Sequence, residues 1–166
     1  MAWASITNNH RISEKSVPLK QFLDICAGIK ADFVSFQREL EVADPDCLLR
    51  KFGVRTIRRE VLNAESQSFL EELIDEMRQL KCLVTVSTTT THIAASLGIR
   101  VELVAAERKG HQWFWQVQAN HNKTFYPSVN VHIGNGESGQ WWEKSLGSAN
   151  DSVSRYLNGA DAGHDQ

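Results

Sequence analysis

The stretch Leu83-Val84-Thr85-Val86-Ser87-Thr88-Thr89-Thr90-Thr91-His92-Ile93-Ala94-Ala95-Ser96-Leu97-Gly98 joins an apolar, β-branched run to a hydroxyl-rich turn and then to a helical segment. Cys82–Val86 is a short β-rich run and is expected to be a central strand. The helical segment Thr90–Leu97 is stopped by Gly98, which can take the left-handed conformation that closes a helix. Ala94 and Ala95 are small enough to let that helix sit close to a sheet. A strand that feeds directly into a helix is the repeating unit of a parallel sheet wrapped by helices.

The same alternation continues on both sides of this unit. Upstream, strands are expected at Met1–Ser5, Asp32–Phe36 and Val54–Ile57; downstream, at Val101–Ala105 and Val129–Ile133. Between them, Ser16 reads as an N-cap with Pro18 in the first turn, and Leu19, Phe22, Leu23 and Cys26 recur at helical spacing up to Gly28. Asp44–Lys51 reads as a short helix. Ser66–Leu80 is the clearest helix, with Phe69, Leu70, Leu73, Ile74 and Met77 on one stripe. Gly134–Gly139 reads as a flexible turn, and Trp141–Leu146 and Ser152–Leu157 as two closing helices. The expected fold is a three-layer α/β/α Rossmann-like domain over residues 1–157, with about six mainly parallel strands. The small, polar tail 158–166 is expected to be disordered.

The chain has 166 residues and a formal net charge of -2. That length suits one domain with a sizeable core. The charge offers no general attraction to nucleic acid or to an anionic membrane. No apolar run approaches the roughly 18 residues of a membrane span, and the first residues lack the features of a secretory signal. A cytoplasmic location follows as an expectation. Cys26, Cys47 and Cys82 are scattered without zinc or redox spacing, and read as reduced structural thiols. The histidines form no metal-ligand pair of known type, so no metal is expected.

The chemistry is expected at the Ser87–His92 turn. A helix start carries unpaired N–H groups and the positive end of the dipole. The hydroxyls of Ser87, Thr88, Thr89, Thr90 and Thr91 add donors without negative charge, so this turn can hold a phosphate without a glycine loop. The competing account is that the threonines simply extend the strand and cap the helix. His92 is either a catalyst or, more commonly in such a place, a hydrogen-bonded packing residue. In the strand order 3-2-1-4-5-6 the first and fourth strands are neighbours, and ligands collect at the carboxyl ends beside that switch point. Ser5 at the end of the first strand, and Arg11 and Lys15 in the following polar loop, would then face the turn across one crevice. The two cations read equally well as solvated loop charges.

The aromatic residues Trp113, Phe114, Trp115, Phe125, Tyr126, Trp141 and Trp142 are expected mainly to pack, with stacking on a ligand as the alternative. Arg50, Lys51, Arg55, Arg58 and Arg59 read as a solvated basic face, since no aromatic platform is interleaved with them. No G-x-G-x-x-G, Walker loop or G-x-S-x-G elbow is present.

Taken in order, several segments resemble the heptosyltransferase-like glycosyltransferases, nearest to the branch linked to bacterial tetratricopeptide repeat proteins. Val84–Gly98 resembles the family's strand–turn–helix motif. Lys15-Ser16-Val17-Pro18-Leu19 resembles its Arg-Ser-Ile-Pro-Leu, and Phe33-Val34-Ser35-Phe36-Gln37 its Val-Ser-Leu-Gln strand end. Trp113-Phe114-Trp115 resembles its Trp-Arg-Trp, and Phe125-Tyr126-Pro127-Ser128-Val129 its Trp-Tyr-Pro-Ser-Val. Trp141 or Trp142 fits the Trp before the final helix. The resemblance implies the C-terminal, nucleotide-sugar-binding half of a GT-B architecture that works without metal or cofactor, its donor a nucleotide-diphosphate sugar. The implied partners are that nucleotide sugar and an N-terminal acceptor domain or tetratricopeptide repeat region outside this chain; a symmetric homodimer is a further option. The departures are Ser87 where the family often has Asp, Ala95 or Ser96 at its usual Gly, and Phe114 in place of Arg. With the acceptor half absent, the isolated chain is expected to be inactive, and a degenerate, non-catalytic binding module is the alternative.

Overall fold

The computed structural model describes residues 1, 2, 4, 15–24, 28–37, 49–57, 59–62, 64, 65, 67–106, 113–120, 125–134 and 142–159. Its extended segments lie where apolar β-type runs fall in the sequence. They are β1 (Phe33–Ser35), β2 (Val54–Thr56), β3 (Cys82–Val86), β4 (Arg100–Ala106) and β5 (Val129–Gly134). β3, β4 and β5 pair in parallel, with Thr85 opposite Leu103 and Val104 opposite His132. β1 and β2 pair in parallel with Val34 opposite Arg55.

The first residues join these two sheets. Ala2 N–H donates to the Val84 carbonyl at 3.1 Å, and Val86 N–H donates to the Ala2 carbonyl at 3.0 Å. On the other side Phe36 N–H donates to the Met1 carbonyl at 2.8 Å, and the Met1 amine donates to the Val34 carbonyl at 2.6 Å. At Ala4 the buried Gln37 side chain continues the pairing: its Oε1 accepts from Ala4 N–H at 3.0 Å and its Nε2 donates to the Ala4 carbonyl at 3.2 Å. The spatial order is therefore β2, β1, Met1–Ala2, β3, β4, β5, the doubly wound order 3-2-1-4-5-6.

Both faces of the sheet are covered. Val84, Val86, Val104 and Ala106 pack with α1 (Leu19–Asp24) through Leu19, Phe22 and Leu23, and with the long C-terminal helix through Leu146, Ala149 and Val153. Leu83, Val101 and Leu103 point the other way. That face is shared by α2 (Arg59–Leu62), α3 (Phe69–Arg78), α4 (Thr89–Ser96) and α5 (Trp113–Asn120), through Leu62, Met77, Ala94 and Trp115 among others. The side-chain alternation of a strand sorts the residues into these two layers, and each fully buried aliphatic or aromatic chain contributes about 1.5–3 kcal/mol.

Several boundaries differ from expectation. α1 starts later than Ser16, because the Pro18 carbonyl accepts the first helical bond, from Phe22 N–H at 3.1 Å. Only residues 49–51 of the short helix expected at 44–51 are described, and they are helical. In α3 the expected stripe is narrower: Met77 is buried, but Leu70 stands 46% exposed. The two closing helices are one continuous α6 (Trp142–Leu157). Ser145, Leu146, Ala149, Ser152 and Val153 form an unbroken buried stripe along it, so packing on the sheet carries the helix through Gly147. Asn158 and Gly159 close this helix onto Ser154 and Tyr156, and the rest of the tail lies outside the described residues. Among the described residues no helix is long and apolar enough to cross a membrane.

Candidate functional site

The carboxyl end of β3 runs into the Ser87–Thr88 turn and then α4. Inside this turn two hydroxyls face inward. Thr91 Oγ1 donates to the Val86 carbonyl at 2.9 Å, and Thr85 Oγ1 donates to the same oxygen at 2.8 Å. Thr91 Oγ1 also accepts from Thr88 N–H at 3.2 Å, which seals the helix start. Thr91 is fully buried, so its hydroxyl fixes the turn rather than opening to the crevice. Ser87 is half-buried, and its Oγ accepts from Trp115 Nε1 at 2.9 Å. Thr88 and Thr90 are half-buried and Thr89 is exposed. The N–H groups of Thr89 and Thr90, in the first turn, have no acceptor within a regular helix. The capping and phosphate-binding accounts of this run therefore overlap: Thr91 and the N-cap Thr88 close the helix start as a capping box, and half-buried Thr88 and Thr90 and exposed Thr89 border its mouth.

At the far end of the helix, Gly98 takes φ +73°. Gly98 and Ile99 N–H groups donate to the carbonyls of Ala95 and Ala94, the Schellman closure.

His92 lies under an aromatic layer. Its ring stacks on Trp115 with centroids 5.2 Å apart and meets Phe114 and Tyr126 at 5.6 and 5.8 Å. Its Nδ1 is 3.2 Å from the Tyr126 hydroxyl. Burial pushes its pKa below the ordinary 6.5, which favours the neutral ring. Phe114 packs against Trp115, Trp113, Phe125 and His92, so an aromatic ring occupies this position. Trp115 is fully buried, whereas Trp113 is 71% and Phe125 45% exposed. Beneath them Gln118 is buried and holds the entry to β5: its Nε2 donates to the Tyr126 and Val129 carbonyls, and its Oε1 accepts from Phe125 and Tyr126 N–H.

Of the other expected site residues, Ser5 and Arg11 lie outside the described residues, and Lys15 is half-buried just before α1. Two contributors were not expected. Gln37, at the end of β1, ties down Ala4 beside the switch point. Trp115 supports Ser87 from a helix far away in sequence. The basic residues Arg50, Lys51 and Arg55 are exposed, and Arg55 pairs with Glu76 at 2.9 Å, as a solvated face does.

A separate polar centre lies under α6. Glu102 of β4 is 0% exposed. Its Oε1 accepts from Arg100 Nε at 2.7 Å, Asn130 Nδ2 at 3.0 Å and Ser152 Oγ at 3.0 Å. Its Oε2 accepts from His132 Nε2 at 2.6 Å, and His132 Nδ1 is 2.8 Å from Ser148 Oγ. Burial pushes the Glu102 carboxyl upward, but hydrogen bonds from His132, Arg100 and Asn130 outweigh it and hold the group below its ordinary 4.5. At neighbouring Cys82 burial, and then the Glu102 charge, outweigh the Arg100 charge and a backbone hydrogen bond from Glu102, and push the thiol up to about 12. No signal in the sequence groups these residues: Arg100 and Glu102, and Asn130 and His132, alternate with apolar residues along two strands, and Ser152 lies on a helix distant in sequence. Among the described residues, no group of three or more His, Cys, Asp or Glu side chains is placed to hold a metal ion. Comparison with family models, with curated proteins and with solved structures returns no match to this chain.

Proposed function

We propose that this domain binds the diphosphate of a nucleotide sugar over the Ser87–His92 turn, as the donor half of a glycosyltransferase of GT-B type. One observation carries the proposal. The hydroxyl-bearing start of α4 stands at the carboxyl end of β3, directly beside Met1–Ala2, where the strand order reverses. Ligands of doubly wound sheets gather at that point, and a helix start favours anions there. Thr88, Thr89 and Thr90 would donate to the diphosphate together with the first-turn N–H groups. These oriented dipoles would stabilise the charge that develops on the departing nucleotide as the sugar's anomeric carbon is displaced. The acceptor and its base would come from another domain, and the exposed rings of Trp113 and Phe125 would meet that domain or a second copy of the chain.

A second reading is a binding module without transfer. It is favoured by Phe114, which puts a packed ring where the resembling family has an arginine, and by the neutral, stacked His92.

Calorimetric titration with UDP, GDP and ADP sugars tests both. Saturable binding by one of them is expected. Thr88→Ala and Thr89→Ala should each weaken it by about 0.5–1.5 kcal/mol, the net worth of one hydrogen bond. Absence of binding by all of them at millimolar concentration would remove the nucleotide-sugar proposal. Binding without turnover when an acceptor half is supplied would favour the module.

A further inference from the structure

We infer that the cavity at the amino ends of β4 and β5, beneath the last turns of α6, is a second binding site, for a small phosphate-bearing ligand. It is distinct from the Ser87 crevice, because parallel strands gather their amino ends at one edge of the sheet and their carboxyl ends at the other. The cavity has a volume of about 720 Å³. Lys81, Arg100, Arg155 and His132 contribute to its walls, and among the described residues no Asp or Glu does. That bias stands out in a chain whose acidic residues outnumber its basic ones, 20 to 18.

The charges are not cancelled from below. Glu102 neutralises Arg100, but it is wholly buried and its two oxygens are taken by Arg100, Asn130, Ser152 and His132. Lys81 and Arg155 are exposed and pair with no carboxylate among the described residues. Two unmatched cations across one cavity suit a dianion, which a phosphate monoester is at neutral pH, better than a single carboxylate. The Coulomb attraction of each is strengthened where water is partly excluded.

The walls are also stiff. Arg100 is held by Glu102 and donates through its other arm to Ser152 Oγ at 3.1 Å. The guanidinium carbon lies 4.3 Å from the Tyr156 ring centroid. This assembly fixes the Arg100 guanidinium and the Tyr156 ring in the wall, so that part of the cavity needs little ordering when an anion enters. Phenyl phosphate fits such a place: its phosphate would face Lys81 and Arg155, and its ring would lie along Tyr156.

Titration of the ¹⁵N-labelled chain with phenyl phosphate tests this. Saturating shifts are expected at the amides of Ile99, Arg100 and Tyr156, weakening as salt is raised. The double variant Lys81→Ala/Arg155→Ala should weaken those shifts by about tenfold or more, the loss of two charge-assisted contacts. Both side chains are exposed, so the variant keeps its fold, and an unchanged spectrum without ligand verifies that. Any shifts at Ser87–His92 report the other crevice and should keep their own concentration dependence in the variant. Absence of saturating shifts at Ile99, Arg100 and Tyr156, or equal affinity in the double variant, would overturn the inference.

Discussion

Glu102 shows how one residue can set the acid limit of a fold. A buried carboxylate is tolerated only when its lone pairs are filled, and here four side chains fill them. Because its folded-state pKa lies below the ordinary 4.5, the group adds stability that is present above that value and is lost as pH falls through the folded value. Urea midpoints measured from pH 7 down to pH 3 should therefore decline below about 4.5, and Glu102→Gln should flatten that decline. Glu102→Ala should lose about 3–5 kcal/mol at neutral pH, because it leaves the half-buried Arg100 without its counter-charge. A midpoint for Glu102→Ala within experimental error of the parent would show that the network contributes nothing. Burial first, and then the charge of this same carboxylate, favour the protonated Cys82 thiol, the form suited to packing.

At the scale of elements, two glycines make opposite demands. Gly147 lies inside α6, with open space where a Cβ would stand and without a left-handed backbone. Gly147→Ala should stabilise by roughly 0.5–1 kcal/mol, through helix propensity alone. Gly98 also has open space, but its φ of +73° places it in the left-handed region. Gly98→Ala should destabilise by roughly 1–2 kcal/mol. Thermal unfolding followed by circular dichroism would separate them, one midpoint rising and the other falling; both moving together would contradict the account. Gly147 also shows what could not be read from the chain. Gly147 and Asn150 look like breakers, so α6 reads as two helices until its buried stripe on β4 and β5 is seen. The described strands fall where strands are expected, most plainly at β3, β4 and β5, where β-branched and apolar residues are bounded by turn residues. Thr91 was legible as part of the turn but not as its inward-facing lock. The Glu102 centre was illegible because Arg100, His132 and Ser152 converge only once strands and helix are assembled. Ser87's support by Trp115 was hidden for the same reason.

The whole molecule is a sheet whose earliest residues lie at its centre. The β3–β4–β5 half is built from consecutive strand–helix–strand units, each closing a short loop. The other half is attached only when residue 2 pairs with residue 85 and residue 1 with residues 34 and 36. Closing so long a loop costs more chain entropy and is a slow step relative to local pairing. During refolding the flank of β3 should stay open for a time, with Val84 and Val86 offering unpaired backbone to any passing strand, a transient hazard for aggregation. Pulse-labelling hydrogen exchange should accordingly find the Leu103 amide protected before those of Val86 and Phe36, and simultaneous protection of all three would show the sheet forming in one step. A domain assembled this way has its latest-forming seam running through the middle of its sheet, beside the crevice where the ligand is proposed to bind, so occupancy of that crevice would brace the joint that forms last.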